Sequence, residues 1–182
     1  QTEKYPLDCS DSFRCTWLSH ISELFSRRAP GMTCLSALRD GCRGTMENPV
    51  NNSKGCGGIM RVAPVGLYFA GNDFYSDEEV MRIGAETAAL THGHELGYIP
   101  AAAFVHIIRC LAQDGEHSVP DAVDDSLTRV RSLFQGAAHL KEFETLMQRA
   151  VRLAASDMDD LDAIRALGEG WVAEETLAIA VY

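Results

Sequence analysis

The sequence predicts an all-α protein, and three observations carry that expectation. Apolar residues recur at helical spacing over most of the chain, no stretch alternates apolar and polar residues as a half-buried strand does, and no Asn-Gly hairpin turn occurs. Without strands to form a sheet, helix packed on helix is the remaining architecture. Nearly half of the 182 residues are apolar and neither a repeat nor a low-complexity linker divides them, so one compact multi-helix domain over 1–182 is expected.

Each element has its own signal. Phe13, Trp17, Leu18, Ile21, Leu24 and Phe25 form the first apolar stripe at helical intervals. After a glycine-rich run, the apolar stretch Val62 to Phe69 contains Pro64, a residue tolerated in a helix's first turn, which places a helix start there. Ser76 followed by Glu79 spells a capping box for a helix running to about Leu90. Pro100 predicts the first turn of a helix over Ala101 to Ala112, stopped by Asp114-Gly115 and apolar on most sides, hence central. Ser118-Val119-Pro120-Asp121 opens the next, with Val123, Leu127, Val130 and Phe134 as its buried face. Phe143, Leu146, Met147, Ala150, Val151 and Ala154 mark one more.

Composition narrows the function. Twenty-six acidic residues against 16 Lys and Arg give a formal net charge of −10, which argues against nucleic acid bound through a basic face. A small anionic ligand is still compatible, because local backbone dipoles act at contact while the overall charge is screened beyond ~8 Å. The cysteines at 9, 15, 34, 42, 56 and 110 include no C-x-x-C pair, and a chain of this size needs no disulfide staples; reduced thiols in a cytoplasmic protein are expected. The longest apolar run, Ile99 to Cys110, carries His106 and Arg109 and falls short of the ~20 residues a bilayer requires, so no membrane partner is expected. The first residues, with Glu3, Lys4 and Asp8, have no signal-peptide core.

The most informative segment is Asn51-Asn52-Ser53-Lys54-Gly55-Cys56-Gly57-Gly58-Ile59-Met60-Arg61. Three glycines in four positions bare backbone N–H groups for an anion, and the positive end of the helix that follows favours a phosphate. An ordinary glycine turn is the competing reading. A nucleotide P-loop is excluded, since Lys54 precedes the glycines and Ile59 and Met60 follow them. A dinucleotide fingerprint fails too, because Glu47-Asn48-Pro49 stands where a hydrophobic strand belongs. Asn51-Asn52-Ser53 matches the glycosylation sequon, with nothing else to suggest secretion.

Cys56 lies inside the cradle, but no His-Asp pairing is visible to activate it, so packing or ligand contact is its role. Arg61 is open between a phosphate fork and an ion pair with Glu86 or Glu95. His92 and His94 bracket a glycine on a loop between two helices, where side chains face ligands. They do not read as a zinc pair, because no third ligand stands at a fixed spacing. His20, His106, His117 and His139 read as structural or surface residues, and Asp124-Asp125-Ser126 and Asp159-Asp160-Leu161 as solvated acids.

Taken together, Arg28-Ala29-Pro30-Gly31 with Thr33-Cys34-Leu35-Ser36-Ala37-Leu38, the run Asn52 to Pro64, Thr91-His92-Gly93-His94 with Gly97-Tyr98, and Gly170-Trp171-Val172-Ala173-Glu174-Glu175 resemble the ADP-ribosylglycohydrolases, the family of the dinitrogenase-reductase-activating glycohydrolase. The resemblance implies an all-helical enzyme that hydrolyses the glycosidic bond between ADP-ribose and a modified arginine, serine or related acceptor. It implies two bound Mg2+ or Mn2+ ions, and an ADP-ribosylated protein or small ADP-ribose conjugate as partner. By position it implies that Asn52, Ser53, Lys54, Gly55, Cys56, Gly57 and Gly58, with Met60 and Arg61 behind them, wrap the pyrophosphate and distal ribose. His92 and Tyr98 are implied to lie beside the ligand.

The chain also departs from the family pattern. An early Asp-Asp-Thr motif and a late Gly-Asp-x-Asp-Thr/Ser motif hold the metals in such enzymes, and neither is present; Asp124-Asp125-Ser126 imitates the first but follows the loop. The late motif is expected just beyond Tyr182. The chain is therefore expected to be the middle of a longer hydrolase, with no catalytic or metal-binding residue of its own and no activity alone. A non-catalytic ADP-ribose or nucleotide-binding module that lost its metal site is the alternative, and a helical protein with a purely structural glycine turn is the third reading.

Overall fold

The computed structural model describes residues 29–39, 41, 43–113 and 117–182; the stripe from Phe13 to Phe25 and the stop at Asp114-Gly115 lie outside them. The helices are α1 (Met32–Arg39), α2 (Ala63–Phe69), α3 (Asp77–Ala89), α4 (Glu95–Gln113), α5 (Val119–Leu133), α6 (Leu140–Ala154), α7 (Asp160–Leu167) and α8 (Ala173–Val181), with a 3₁₀ turn at Ile59–Arg61. No strand forms among the described residues, and the all-α class is what the structure shows.

The central helix is α4, against which α2, α3, α5, α6 and α8 all pack. Leu96, Ile99, Val105, Ile107 and Cys110 are buried on its several sides, and the small run Ala101-Ala102-Ala103 lets neighbours close in. It is long and apolar enough, by length and composition, to cross a membrane, yet most of it is buried inside the protein as a core helix.

The sequence places the start of α4 too late. It begins at Glu95, where His94 Nδ1 accepts from the Leu96 amide at 3.0 Å and the His94 carbonyl accepts from Gly97 at 2.7 Å. Pro100 therefore sits inside the helix, where it forfeits only the bond its own amide would have given to the Leu96 carbonyl. The capping box of α3 is present, with Ser76 Oγ accepting from the Glu79 amide at 3.3 Å and Glu79 Oε2 accepting from the Ser76 amide at 2.9 Å. Ser118 caps α5 through the Asp121 amide. Phe143, Met147 and Ala150 are buried along α6 as its stripe predicts.

Three helices, α1, α7 and α8, escape periodicity because eight or nine residues show barely two turns of any stripe. Asp159 is the N-cap of α7, accepting from the Leu161 amide at 3.0 Å, so this acid run is more than a solvated face. The helix expected directly after the glycine run is divided: the 3₁₀ turn comes first, then α2, whose seven residues lie flat against α4.

The approach of α2 to α4 requires a glycine. A Cβ on Gly66 would stand 2.6 Å from the Val105 carbonyl oxygen and 2.9 Å from Ile108 Cβ. Gly66→Ala should destabilise the chain by about 1–3 kcal/mol through overpacking, outweighing the ~1 kcal/mol gained from alanine's helix propensity. A urea midpoint that rises in this variant contradicts the packing described.

Candidate functional site

The glycine run is clamped between two distant segments. On one side Asn51 joins it to the α3–α4 connection: Asn51 Nδ2 donates to the Thr91 carbonyl at 2.9 Å and Oδ1 accepts from the Gly93 amide at 3.2 Å. The His94 amide adds a bond to the Ser53 carbonyl at 3.3 Å. On the other side, Gly55 forms an antiparallel bridge with Val172; the Cys56 amide donates to the Trp171 carbonyl at 3.0 Å and the Ala173 amide to the Lys54 carbonyl at 2.9 Å. Residues far apart in sequence thus fix one short loop at both edges.

This clamp decides which amides are left over. The Gly55 amide is taken by Ser53 Oγ at 3.3 Å and that of Cys56 by Trp171. The amides of Gly57 and Gly58 donate to no acceptor among the described residues. Two consecutive free donors are what an anion-binding backbone requires, since a buried orphan amide otherwise costs free energy. Of the three glycines whose amides the sequence reading leaves bare, Gly55 has an acceptor, and Gly57 and Gly58 have none among the described residues. The structure also removes the helix-dipole part of that reading, because Gly58 caps only the short 3₁₀ turn.

Neither cation of the run faces this pair. Lys54 Nζ makes a short ion pair with Glu174 Oε1, whose carboxyl is 3% exposed and whose Oε2 has no partner among the described residues. Burial raises the Glu174 carboxyl above its usual range, with the Lys54 hydrogen bond opposing; that bond raises Lys54 in turn. Arg61 binds neither Glu86 nor Glu95. Its Nη2 donates to the Thr87 carbonyl at 2.6 Å and to Thr91 Oγ1 at 2.7 Å, and its Nη1 to the Gly57 carbonyl at 3.2 Å. A guanidinium here caps the C-terminal carbonyls of α3 and ties them to the loop, which the helix dipole favours.

His92 lies under the loop, 2% exposed. Thr91 Oγ1, which accepts from Arg61, is 2.8 Å from His92 Nδ1; where the hydroxyl donates to that nitrogen, the proton of the neutral ring resides on Nε2. Burial, aided by the nearby Arg61, pulls the imidazole down to about 4, and it is neutral at pH 7. Nε2 faces the glycines: a Cβ on Gly57 would stand 3.0 Å from His92 Cε1 and one on Gly55 3.4 Å from Nε2. Close approach of this ring is a second reason for glycine at both positions.

The remaining candidates spread around the rim. Asn52 is exposed, Met60 is 71% exposed, and Cys56 is half-buried against the core with its thiol free. Tyr98 turns its ring toward Phe134, centroids 6.0 Å apart, and His94 caps α4 while packing on His139 at 4.6 Å. Beside the loop, α1 supplies Thr33, Ser36 and Ala37 to a hollow of about 160 Å³ completed by Val50, Asn51 and Ser53. Small-molecule pockets are ~300–1,000 Å³, so this hollow is smaller than a site for a whole nucleotide ligand.

Three further participants lie within the sequence motifs, which give them no place in the site. Trp171 is 74% exposed although its backbone is bonded into the loop. Glu174 meets Lys54 across 120 residues, and Asn51 organises the loop without facing the free amides. Only a pairing of distant segments, invisible to local pattern, brings them here.

The carboxylates near the loop do not fit a pair of hard divalent ions. Glu174 is committed to Lys54, Glu95 caps Ala138 and His139 at 3.2 and 2.7 Å, and Glu175 accepts from the Glu169 and Gly170 amides at 3.1 Å each.

Two stability measurements check this geometry. The folded pKa of His92 lies below its unfolded value of about 6.5, so its neutral burial contributes fully above pH 6.5 and is lost as pH falls towards 4. Urea stability should drop by up to about 3 kcal/mol over that window, and His92→Gln should flatten the drop; an unchanged profile contradicts the burial of a neutral ring. Lys54→Met should cost about 2 kcal/mol by leaving the Glu174 charge unpaired, less than the ~3–5 of a wholly buried pair because Lys54 is partly exposed.

A family model described as ADP-ribosylglycohydrolase matches residues 2–182. No curated protein and no solved structure matches the chain. The match spans both segments that clamp the loop as well as the loop itself. On that match, the chain belongs to the ADP-ribosylglycohydrolase family and its chemistry is of the glycoside-hydrolase type.

Proposed function

We propose that this chain seats the diphosphate of an ADP-ribosyl group in a hydrolase that cleaves the glycosidic bond joining ADP-ribose to a modified protein side chain or a related small conjugate. The observation that carries the proposal is the pair of unspent amides on Gly57 and Gly58 above the ring of His92. In this reading the two amides donate to phosphate oxygens, and His92 Nε2–H, also without an acceptor among the described residues, is the third donor. A neutral donor suits this role, since the ring stays uncharged and in place whether the ligand is present or absent. The exposed indole of Trp171 offers a stacking face for the adenine, and the hollow beside Ser53 takes the ribose.

Glycoside hydrolysis also needs a carboxylate to manage protons and stabilisation of an oxocarbenium-like centre. Two Mg2+ or Mn2+ ions would supply templating and charge stabilisation, held by carboxylates outside the described residues. The enzyme would act in the cytoplasm on an ADP-ribosylated protein or conjugate, and the 182-residue chain alone would turn over nothing. The same lack of converging carboxylates favours a second reading, a non-catalytic ADP-ribose-binding module. Reading the coding sequence on either side of Gln1 and Tyr182 for the Asp-Asp-Thr and Gly-Asp-x-Asp segments separates the two.

ADP-ribose titrated into the Trp17→Phe chain should change Trp171 fluorescence and saturate, and Gly57→Val should weaken that binding at least about tenfold by driving a side chain into His92. Isothermal calorimetry on the unaltered chain provides the same constant without a label. No saturable binding contradicts the seat, and hydrolysis of ADP-ribosylated arginine by this chain with added magnesium or manganese contradicts the placement of the metal carboxylates.

A further inference from the structure

The second half of α4 carries a cluster that the diphosphate seat does not use. His106 and Cys110 stand one turn apart on the same helix face, about 15 Å along the axis from Gly97, and Asp125 meets them from α5. His106, read from the sequence as a structural or surface residue, is 1% exposed, and Asp125, read as a solvated acid, is engaged on both sides. His106 Nε2 donates to Asp125 Oδ2 at 2.6 Å, and Cys110 Sγ lies 3.3 Å from the same nitrogen. All three donor atoms fall within 4.8 Å of one another.

The hydrogen bonding inside this cluster is incomplete. With its proton on Nε2, His106 leaves Nδ1 buried and unpartnered among the described residues, 3.8 Å from Asp77 Oδ1. A lone pair there faces a carboxylate, an unfavourable match. Moving the proton to Nδ1 turns an N–H toward Asp77 and aims the Nε2 lone pair at Cys110 and Asp125. That is the tautomer of a metal-bound histidine oriented by an outer carboxylate.

Charge points the same way. Arg109 Nη1 is 3.3 Å from Asp77, and Arg129 lies 2.9 Å from both Asp77 and Asp125 and 3.8 Å from Glu78. Three carboxylates against two guanidiniums leave one negative charge, which a divalent cation bound to a Cys110 thiolate would neutralise. We propose that His106, Cys110 and Asp125 form a site for a divalent cation of zinc-like softness, with a fourth position open to water. The donor set of nitrogen, sulfur and oxygen suits zinc and disfavours magnesium. Tetrahedral bonds of ~2.0–2.3 Å set ligand atoms roughly 3.3–3.8 Å apart, so Nε2 and Oδ2 need to open by less than about 1 Å. Binding displaces Arg129 from Asp125, leaves it on Asp77, and releases the thiol proton to solvent.

The test is a titration of the reduced, metal-free 182-residue chain with cobalt(II), a spectroscopic substitute for zinc. A thiolate-to-cobalt charge-transfer band should grow to saturation near one equivalent and be erased by zinc. Cys110→Ser should abolish it, and His106→Gln and Asp125→Asn should weaken cobalt binding at least about tenfold, while Cys34→Ser and Cys56→Ser should leave it intact. A second measurement needs no variant: one equivalent of zinc should slow alkylation of Cys110 relative to Cys34, read by peptide mass. Absence of both the band and the protection overturns the proposal, as does a band that survives Cys110→Ser.

Discussion

The candidate site depends on one constraint, the clamping of residues 51–58 between the α3–α4 connection and the start of α8. Each edge of the loop is held by hydrogen bonds to a segment remote in sequence, through the Asn51 side chain and the Ser53 carbonyl on one side and through the main chain of Lys54, Gly55 and Cys56 on the other. A loop fixed in this way loses its freedom during folding, before any ligand arrives, which lowers the cost of ordering on binding. The clamp also consumes the amides of Gly55 and Cys56 and leaves those of Gly57 and Gly58 unspent. The arrangement of donors is thus a product of tertiary structure and not of the glycines alone.

Beneath the loop the polar side chains form a chain of dependence. Arg61 holds the end of α3 and the Gly57 carbonyl, and it donates to Thr91; Thr91 is hydrogen-bonded to His92 Nδ1; and His92 fills the space that two missing side chains leave. The guanidinium also helps to keep the imidazole neutral. A cation that a sequence reading assigns to ligand or carboxylate therefore acts one step removed, by shaping and polarising the floor of the site. Lys54 is similarly withdrawn, because its charge compensates Glu174 at the start of α8.

The sequence reveals those features whose signals are local. Ser76 with Glu79 and Ser118 with Asp121 mark helix starts because capping acts over three residues. Phe143, Met147 and Ala150 mark a buried face because helical spacing repeats. The start of α4 is missed because His94, an uncommon cap, initiates it, and Pro100 draws attention to the wrong turn. The glycine run and His92 stand out and are brought together. Lys54 with Glu174, Asn51 with Thr91 and His106 with Asp125 are joined across 120, 40 and 19 residues, beyond any periodicity or capping rule.

The central claim is that the backbone at Gly57 and Gly58 receives the diphosphate. Amide chemical shifts of the 15N-labelled chain, followed through an ADP-ribose titration, test it most directly. The account predicts that the two largest proton shifts fall on Gly57 and Gly58, while Gly55 and Cys56, already bonded to Ser53 and Trp171, move little. Shifts spread over the surface, or concentrated on residues remote from the loop with Gly57 and Gly58 unmoved, would contradict it.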